Sequence, residues 1–200
     1  MAPPEVKTGV VLLAAGLGKR FGGGKLMAEF RGAPLWEWAA QTAESIDSSE
    51  RLLVVGPNSP IKGRMRWRRV ENPMAERGMG TSIAAGVSAL TDCDRVLIVL
   101  ADMPLVSLAH LRRLTAAQGA AFTRYRDGSA GCPAIFPRAV FPLLETLTED
   151  RGARSLDLGD AEMIPPPHPS ELSDVDDSRD LDRLNSAERL VNFRDLKDSP

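Results

Sequence analysis

Short runs rich in apolar residues fall along the chain at 10–14, 51–55 and 96–100, and 121–125 is strand-like. Runs of that length, bounded by glycine, proline or polar residues, predict strands. Between them the apolar positions recur at helical spacing. One helix is predicted over 35–46, opened by Pro34 in its first turn. Another is predicted where Ile83, Ala84, Val87 and Leu90 repeat. Helices are also predicted over 107–117 and 138–147, and a closing one over about 178–191 brings Leu181, Leu184 and Leu190 near one face. Strand and helix in alternation predict an α/β fold with a mainly parallel central sheet. Residues 96–100 are apolar at every position, as a central strand with helices on both faces requires. The proline-rich loop 165–169 is too short for a linker and no internal repeat is present, so the chain reads as one domain over 1–200.

Of 200 residues, 43% are hydrophobic and 26% charged, the balance of a soluble globular protein. Lysine and arginine number 25 against 27 acidic residues, a formal charge of −2. A general nucleic-acid or membrane-surface binder needs a basic excess, so no nucleic acid and no membrane is expected as a partner. The run Arg64, Arg66, Arg68, Arg69 around Trp67 is the one stretch where RNA stacking can be argued. Alternation puts three of these arginines on one strand face, and a solvated edge strand accounts for them, with a grip on a phosphate as the other reading. Cys93 and Cys132 are too few and too far apart for a disulfide framework. The opening 1–8 carries prolines and a glutamate rather than a basic and then apolar leader, so the expected compartment is the cytoplasm.

Chemistry enters with the glycine-rich stretch. The first strand runs into Leu13-Ala14-Ala15-Gly16-Leu17-Gly18-Lys19-Arg20-Phe21-Gly22-Gly23-Gly24-Lys25. Glycines let main-chain N–H groups approach a polyphosphate with no Cβ in the way, and Arg20 and Lys25 supply charge for it. A tight turn alone would not need two cations. A P-loop read back from Gly24-Lys25 would require glycine at Lys19 and a hydroxyl at Leu26, and both fail. A dinucleotide fingerprint needs its glycines to open a helix directly and an acid to close the next strand. The next predicted helix starts only near Pro34, and the second strand ends Val55-Gly56-Pro57.

Leu-Ala-Ala-Gly-x-Gly-x-Arg-Phe-Gly-x-x-Lys resembles the signature of nucleotidyltransferases, and more narrowly of the MobA-like group, which includes molybdenum cofactor cytidylyl- and guanylyltransferases. The resemblance continues in order through Gly78-Met79-Gly80-Thr81-Ser82, Asp102-Met103-Pro104-Leu105-Val106, Gly131-Cys132-Pro133-Ala134-Ile135-Phe136, Asp150-Arg151-Gly152-Ala153-Arg154 and Asp174-Val175-Asp176-Asp177-Ser178-Arg179-Asp180-Leu181. It implies a Rossmann-like nucleotidyltransferase fold. It implies nucleotide contacts from Leu13, Ala14, Ala15, Gly16 and Gly18 in the first loop and from Gly78, Thr81 and Ser82 in the second. Lys25, Arg20 and Asp102 would carry the reaction, with Mg2+ held by Asp102 and Asp176. The nucleoside triphosphate would be CTP, because cytidylyl enzymes of the group show Leu-Ala-Ala-Gly where guanylyl enzymes show Leu-Ala-Gly-Gly. The acceptor would be molybdopterin or molybdenum cofactor, with a molybdenum hydroxylase apoprotein as a further partner. The chain departs from the group at Ala101, usually glycine, at Cys132, usually histidine, and at Asp177-Ser178, usually Thr-Pro.

Residue chemistry alone supports part of this. Asp102 follows an apolar strand by two residues and should emerge at the carboxyl edge of the sheet, where α/β folds bind ligands. A carboxylate there can hold magnesium; the plainer reading is a turn or helix cap before Pro104. Asp174 and Asp176 alternate along an extended segment, and either could complete the metal site or serve the helix that follows. His110 and His168 lie outside every motif and read as structural. Cys132 lacks a partner histidine for covalent catalysis, and Cys93 reads as packing. Trp36 and Trp38, two apart, cannot share a helix face. Two rivals remain open: a sugar- or alcohol-phosphate nucleotidyltransferase, and a non-catalytic maturation partner of a molybdenum hydroxylase. An oxidoreductase reading finds no flavin or nicotinamide fingerprint.

Overall fold

The computed structural model describes residues 6–16, 18–150 and 152–195; most of the opening stretch 1–8, Leu17 and Arg151 lie outside the described residues, as do the side chains of Leu190 and Val191. The first strand, β1 (Thr8–Ala14), is buried at every position. Its alternating side chains feed two cores: Val10, Leu12 and Ala14 point into one, Val11 and Leu13 into the other. A short antiparallel pair, β2 (Glu29–Phe30) and β3 (Ala33–Pro34), leads into α1 (Leu35–Glu44). Pro34 stands one residue earlier than expected, as the extended cap of α1. There follow β4 (Glu50–Val55), β5 (Arg68–Glu71), α2 (Met79–Ser88), β6 (Arg95–Leu100), α3 (Leu108–Ala116), β7 (Ala121–Arg124), β8 (Ala130–Pro137), α4 (Phe141–Glu145), β9 (Glu162–Ile164) and α5 (Ser178–Asp195).

The seven strands form one sheet in the order β5-β4-β1-β6-β8-β7-β9. All pairings are parallel except those of β8, which runs against both β6 and β7. Leu35, Leu111 and Leu181 bring α1, α3 and α5 to one face, while Ile83 and Leu144 bring α2 and α4 to the other. The expected α/β fold, with a mainly parallel sheet and helices on both faces, is what forms. No helix among the described residues is long and apolar enough to cross a membrane.

Several expectations change. β8 went unread as a strand, because Gly131 and Pro133 interrupt its pattern. The helix predicted over 138–147 divides into a 3-10 turn, Arg138–Val140, and the short α4, with Pro142 in its first turn. The basic run does not alternate along a strand. Only Arg68–Glu71 is extended, Arg66 turns into the left-handed region at φ 76°, and Arg64 pairs with Glu37 and Glu44. Trp67 is buried, its indole N–H donating to Glu44 Oε1 at 2.6 Å. β5 does lie at the sheet edge, as a solvated edge strand requires. Trp36 is core and Trp38 is only partly buried. Both cysteines are free and buried.

His110 on α3 is fully buried, with Nε2 2.8 Å from Thr123 Oγ1, while the Thr123 hydroxyl donates to the Pro133 carbonyl at 2.6 Å. That network assigns the ring proton to Nε2 and leaves Nδ1 without a hydrogen-bond partner. Burial pushes the imidazole below its usual range, so the folded protein binds fewer protons here than the unfolded chain. The stability tied to a neutral His110 is complete above the unfolded value of about 6.5 and is lost as pH falls toward the lower folded value. Thermal melts from pH 7.5 to 5 should fall in wild type and fall less in His110→Gln; equal slopes would remove His110 from this role.

Candidate functional site

β1 delivers its loop to the carboxyl edge of the sheet, and β6 delivers Asp102 beside it. The loop closes on itself, the Gly18 carbonyl accepting from the N–H groups of Phe21 at 2.9 Å and Gly23 at 3.1 Å. It then makes a 3-10 turn, Lys25–Met27, that directs Lys25 inward. A cavity of about 400 Å3 lies between this loop, the N-terminus of α2 and the segment after β6. Leu13, Ala15, Gly16 and Gly18 form its floor, Gly78 and Ser82 one side, and Arg20, Lys25, Asp102 and Asp176 the charged end. A helix N-terminus and two cations suit an anion.

Lys25 is buried to 9% exposure, and its ammonium donates to Asp102 Oδ2 at 2.7 Å. Asp176 Oδ1 lies 3.9 Å from the same nitrogen, and Arg20 donates to Asp176 Oδ2 at 3.1 Å. The charged end is therefore two carboxylates interleaved with two cations. Asp102 caps no helix: α3 is capped by the Ser107 hydroxyl. The acids before α5 divide their work. Asp177 Oδ1 accepts from the N–H groups of Arg179 and Asp180, while Asp176 faces the cavity. Asp174 does not line the cavity; burial raises its carboxyl, and the charges of Asp176 and Asp102 push the same way.

The donor chemistry fits a divalent ion. Asp102 and Asp176 already gather hard carboxylate oxygens around one cation, Lys25 Nζ. Magnesium and its like bind through one or two carboxylates, with waters and substrate phosphates completing the shell. No group of three or more His, Cys, Asp or Glu that could hold a metal occurs among the described residues. Asp102 and Asp176 are the two carboxylates placed to contribute to such a shell.

The second predicted loop is held by a residue that sequence reading passed over. Asn72, buried, donates through Nδ2 to Thr81 Oγ1 at 2.9 Å and to Ser82 Oγ at 3.0 Å, and its Oδ1 accepts from Met74 N–H at 2.9 Å. The only signal was Asn before Pro73, an ordinary turn starter. Gly78 sits at φ 122° and ψ 176°, a region that side chains rarely enter. A Cβ there would lie 2.3 Å from the Glu149 carbonyl carbon, and Gly80 N–H donates to Glu149 O at 2.8 Å. The 78–80 segment and the 149–150 turn are thus clamped together.

Of the residues expected at the nucleotide, Ala14 and Thr81 do not line the cavity. Ala14 alternates into the opposite core, and Thr81 is buried with its hydroxyl against the Met74 and Gly78 carbonyls at 3.0 and 2.9 Å. Leu26, Ala75, Glu76, Met79, Leu100 and Asp150 line it without having been expected there. A second cavity of about 250 Å3 adjoins the first, sharing Met79, Leu100 and Asp150 and adding Cys132, Tyr125 and Arg154. Burial pushes the Cys132 thiol up to about 12, which keeps it protonated and a poor nucleophile at neutral pH.

A family model described as the MobA-like NTP transferase domain matches residues 10–162. Purine catabolism protein PucB of Bacillus subtilis is 29% identical, over 88% of this chain and 95% of its own length. Nicotine blue oxidoreductase of Paenarthrobacter nicotinovorans is 38% identical, over 52% of this chain and 53% of its own. Among solved structures, Rv0371c of Mycobacterium tuberculosis H37Rv superposes with a TM-score of 0.77 at 25% identity, covering 92% of this chain and 100% of that one. The complex of Rv0371c with manganese gives 0.68 at 23%.

Proposed function

This chain belongs to the MobA-like NTP transferase domain family, and from that premise we propose that it moves CMP from CTP onto the phosphate of molybdopterin or molybdenum cofactor, releasing pyrophosphate. One observation carries the reading: Lys25, Arg20, Asp102 and Asp176 converge at the end of a glycine-floored cavity. The acceptor rests on the motifs that run in order along the chain, from the first loop to Asp174-Val175-Asp176.

In this reaction an acceptor phosphate oxygen forms a bond to the α-phosphorus, and the bond from that phosphorus to the bridging oxygen of the β-phosphate breaks. The acceptor monoester loses its second proton near pH 6, so its oxygen is already charged at neutral pH and no general base is needed. That suits a site with no histidine lining it. Asp102 and Asp176 are the residues to hold Mg2+, which when bound neutralises triphosphate charge. Lys25 and Arg20 supply fixed positive charge to the phosphates, and Gly16, Gly18 and Gly78 leave the backbone open to them. The rest is positioning.

Partial identity to nicotine blue oxidoreductase raises a second reading, an oxidoreductase. A dinucleotide fingerprint turns directly into a helix. Here the glycine loop turns into a 3-10 turn, Lys19–Phe21, and β4 ends at Val55 followed by Gly56. A sugar-phosphate acceptor and a non-catalytic maturation role are the other rivals.

Pyrophosphate release with each of the four triphosphates, with and without molybdenum cofactor, tests the assignment. CTP is expected to exceed GTP by at least about tenfold in kcat/KM, because a base site that hydrogen-bonds one edge leaves buried groups unpaired with another. Ala15, whose methyl narrows the floor where glycine would leave space for a purine, is the residue at issue. Preference for GTP or ATP would defeat the cytidylyl reading, and preference for UTP would point to a sugar phosphate.

A further inference from the structure

Building on the nucleotidyl-transfer reading, we propose that Arg154 holds the acceptor's phosphate in the second cavity, whose walls select an acceptor with a planar, conjugated body. The cavity shares Met79, Leu100 and Asp150 with the nucleotide cavity, so groups seated in the two are neighbours. Adjacency of that kind is what a two-substrate transfer needs, since most of its rate comes from placing nucleophile beside phosphorus.

The walls are aromatic and sulfur-bearing: Phe122, Tyr125, Met79 and Cys132. Tyr125 is a fixed wall. Its hydroxyl donates to the Cys132 carbonyl at 2.9 Å, and a Cβ on Gly131 would come within 2.5 Å of the ring's Cε2, so the ring lies directly on the backbone. Burial holds the phenol neutral, raised well above its usual range. Flat faces and thioethers stabilise a conjugated ring system through stacking and S–aromatic contact. A polyol would lose water from its hydroxyls against these walls and find few partners in return.

Arg154 is the one cation that lines this cavity among the described residues. It lies within the 3-10 turn Ala153–Ser155, and among the described residues no ion pair engages it. Its charge is felt across the cavity, at Tyr125. The cations of the first cavity, by contrast, are already paired with Asp102 and Asp176. A planar guanidinium matches a phosphate with two parallel hydrogen bonds, which also fixes the orientation of the bound group.

Equilibrium binding of molybdopterin and, separately, of CTP with Mg2+ tests this in wild type, Arg154→Met, Arg154→Lys and Arg126→Met. Arg126 lies beyond the Tyr125 wall and controls for lost net charge. Arg154→Met should weaken molybdopterin binding at least tenfold and leave CTP binding within twofold. Arg154→Lys should recover part of the loss, and Arg126→Met should match wild type. In turnover, the Arg154→Met defect should fall on the acceptor KM, with kcat at saturating acceptor retained. Glycerol 3-phosphate and ribose 5-phosphate should bind at least tenfold more weakly than molybdopterin. Unchanged molybdopterin affinity in Arg154→Met, sugar phosphates binding as tightly, or no molybdopterin binding to wild type each overturns the proposal. Wild type that binds molybdopterin through Arg154 but releases no pyrophosphate from any triphosphate upholds the cavity assignment and defeats nucleotidyl transfer.

Discussion

Asp102→Asn is expected to lower pyrophosphate release by about two to three orders of magnitude, the range seen when one preorganised electrostatic contact to a transition state is removed. The amide keeps the shape and can still accept a hydrogen bond from Lys25, which now stands 2.7 Å away. What it cannot do is supply the negative charge that a hard cation requires. Nucleotide binding in EDTA should therefore change little, while the metal dependence of turnover is lost. Asp176 remains near Lys25 at 3.9 Å, so the ammonium is not stranded and the fold should survive. Circular dichroism and a melt on the same sample check that. Pyrophosphate release at the wild-type rate would reduce Asp102 to an anchor for Lys25.

Gly78→Ala should be the most damaging single methyl in the chain. The backbone at φ 122° and ψ 176° costs a side-chain-bearing residue about 1–3 kcal/mol by itself. The added carbon would also sit 2.3 Å from the Glu149 carbonyl carbon, inside any van der Waals contact. Either the 149–150 turn moves away, opening the seam between the two cavities, or the whole strain falls on stability. A total of roughly 3 kcal/mol corresponds to a melting temperature lower by about 6–12 °C for a chain of this size. Gly152→Ala is the matched control, since its Cβ would only touch Met79 Sδ at 3.7 Å and its φ is −73°. Melting and turnover at wild-type values in Gly78→Ala would show that the turn yields without cost.

Signals that live within a few residues were legible in the sequence. β1, β6, the glycine loop and the place of Asp102 after its strand all follow from local apolar runs and turn chemistry. What could not be read is what long separations bring together. Lys25 and Asp102 each stood out alone, but their ion pair spans 77 positions, and the pair of Arg20 with Asp176 spans 156. The glycine-rich loop points both cations at phosphate; the fold first gives them carboxylates. Asn72 had no local pattern to mark it, since it acts through hydroxyls on a helix; Asp150 stood in a motif, but its place at the cavities depends on a distant glycine that lets its turn approach. β8 was hidden because a glycine and a proline break its alternation, although pairing on both sides secures it.

The reversed direction of β8 has a consequence for how such a molecule can diversify. Because β8 opposes β6 and β7, the turn that joins β7 to β8 emerges at the same edge as the ends of β1 and β6. Tyr125, Ser129 and Arg154 gather there, on one side of the seam, with Lys25 and Asp102 on the other. Exposed turns absorb insertions and substitutions that buried strands refuse. β1, committed to two cores at once, has almost no freedom to vary. One half of this edge is thus frozen by packing, while the exposed residues 126–128 of the hairpin on the other half are free to vary without disturbing it.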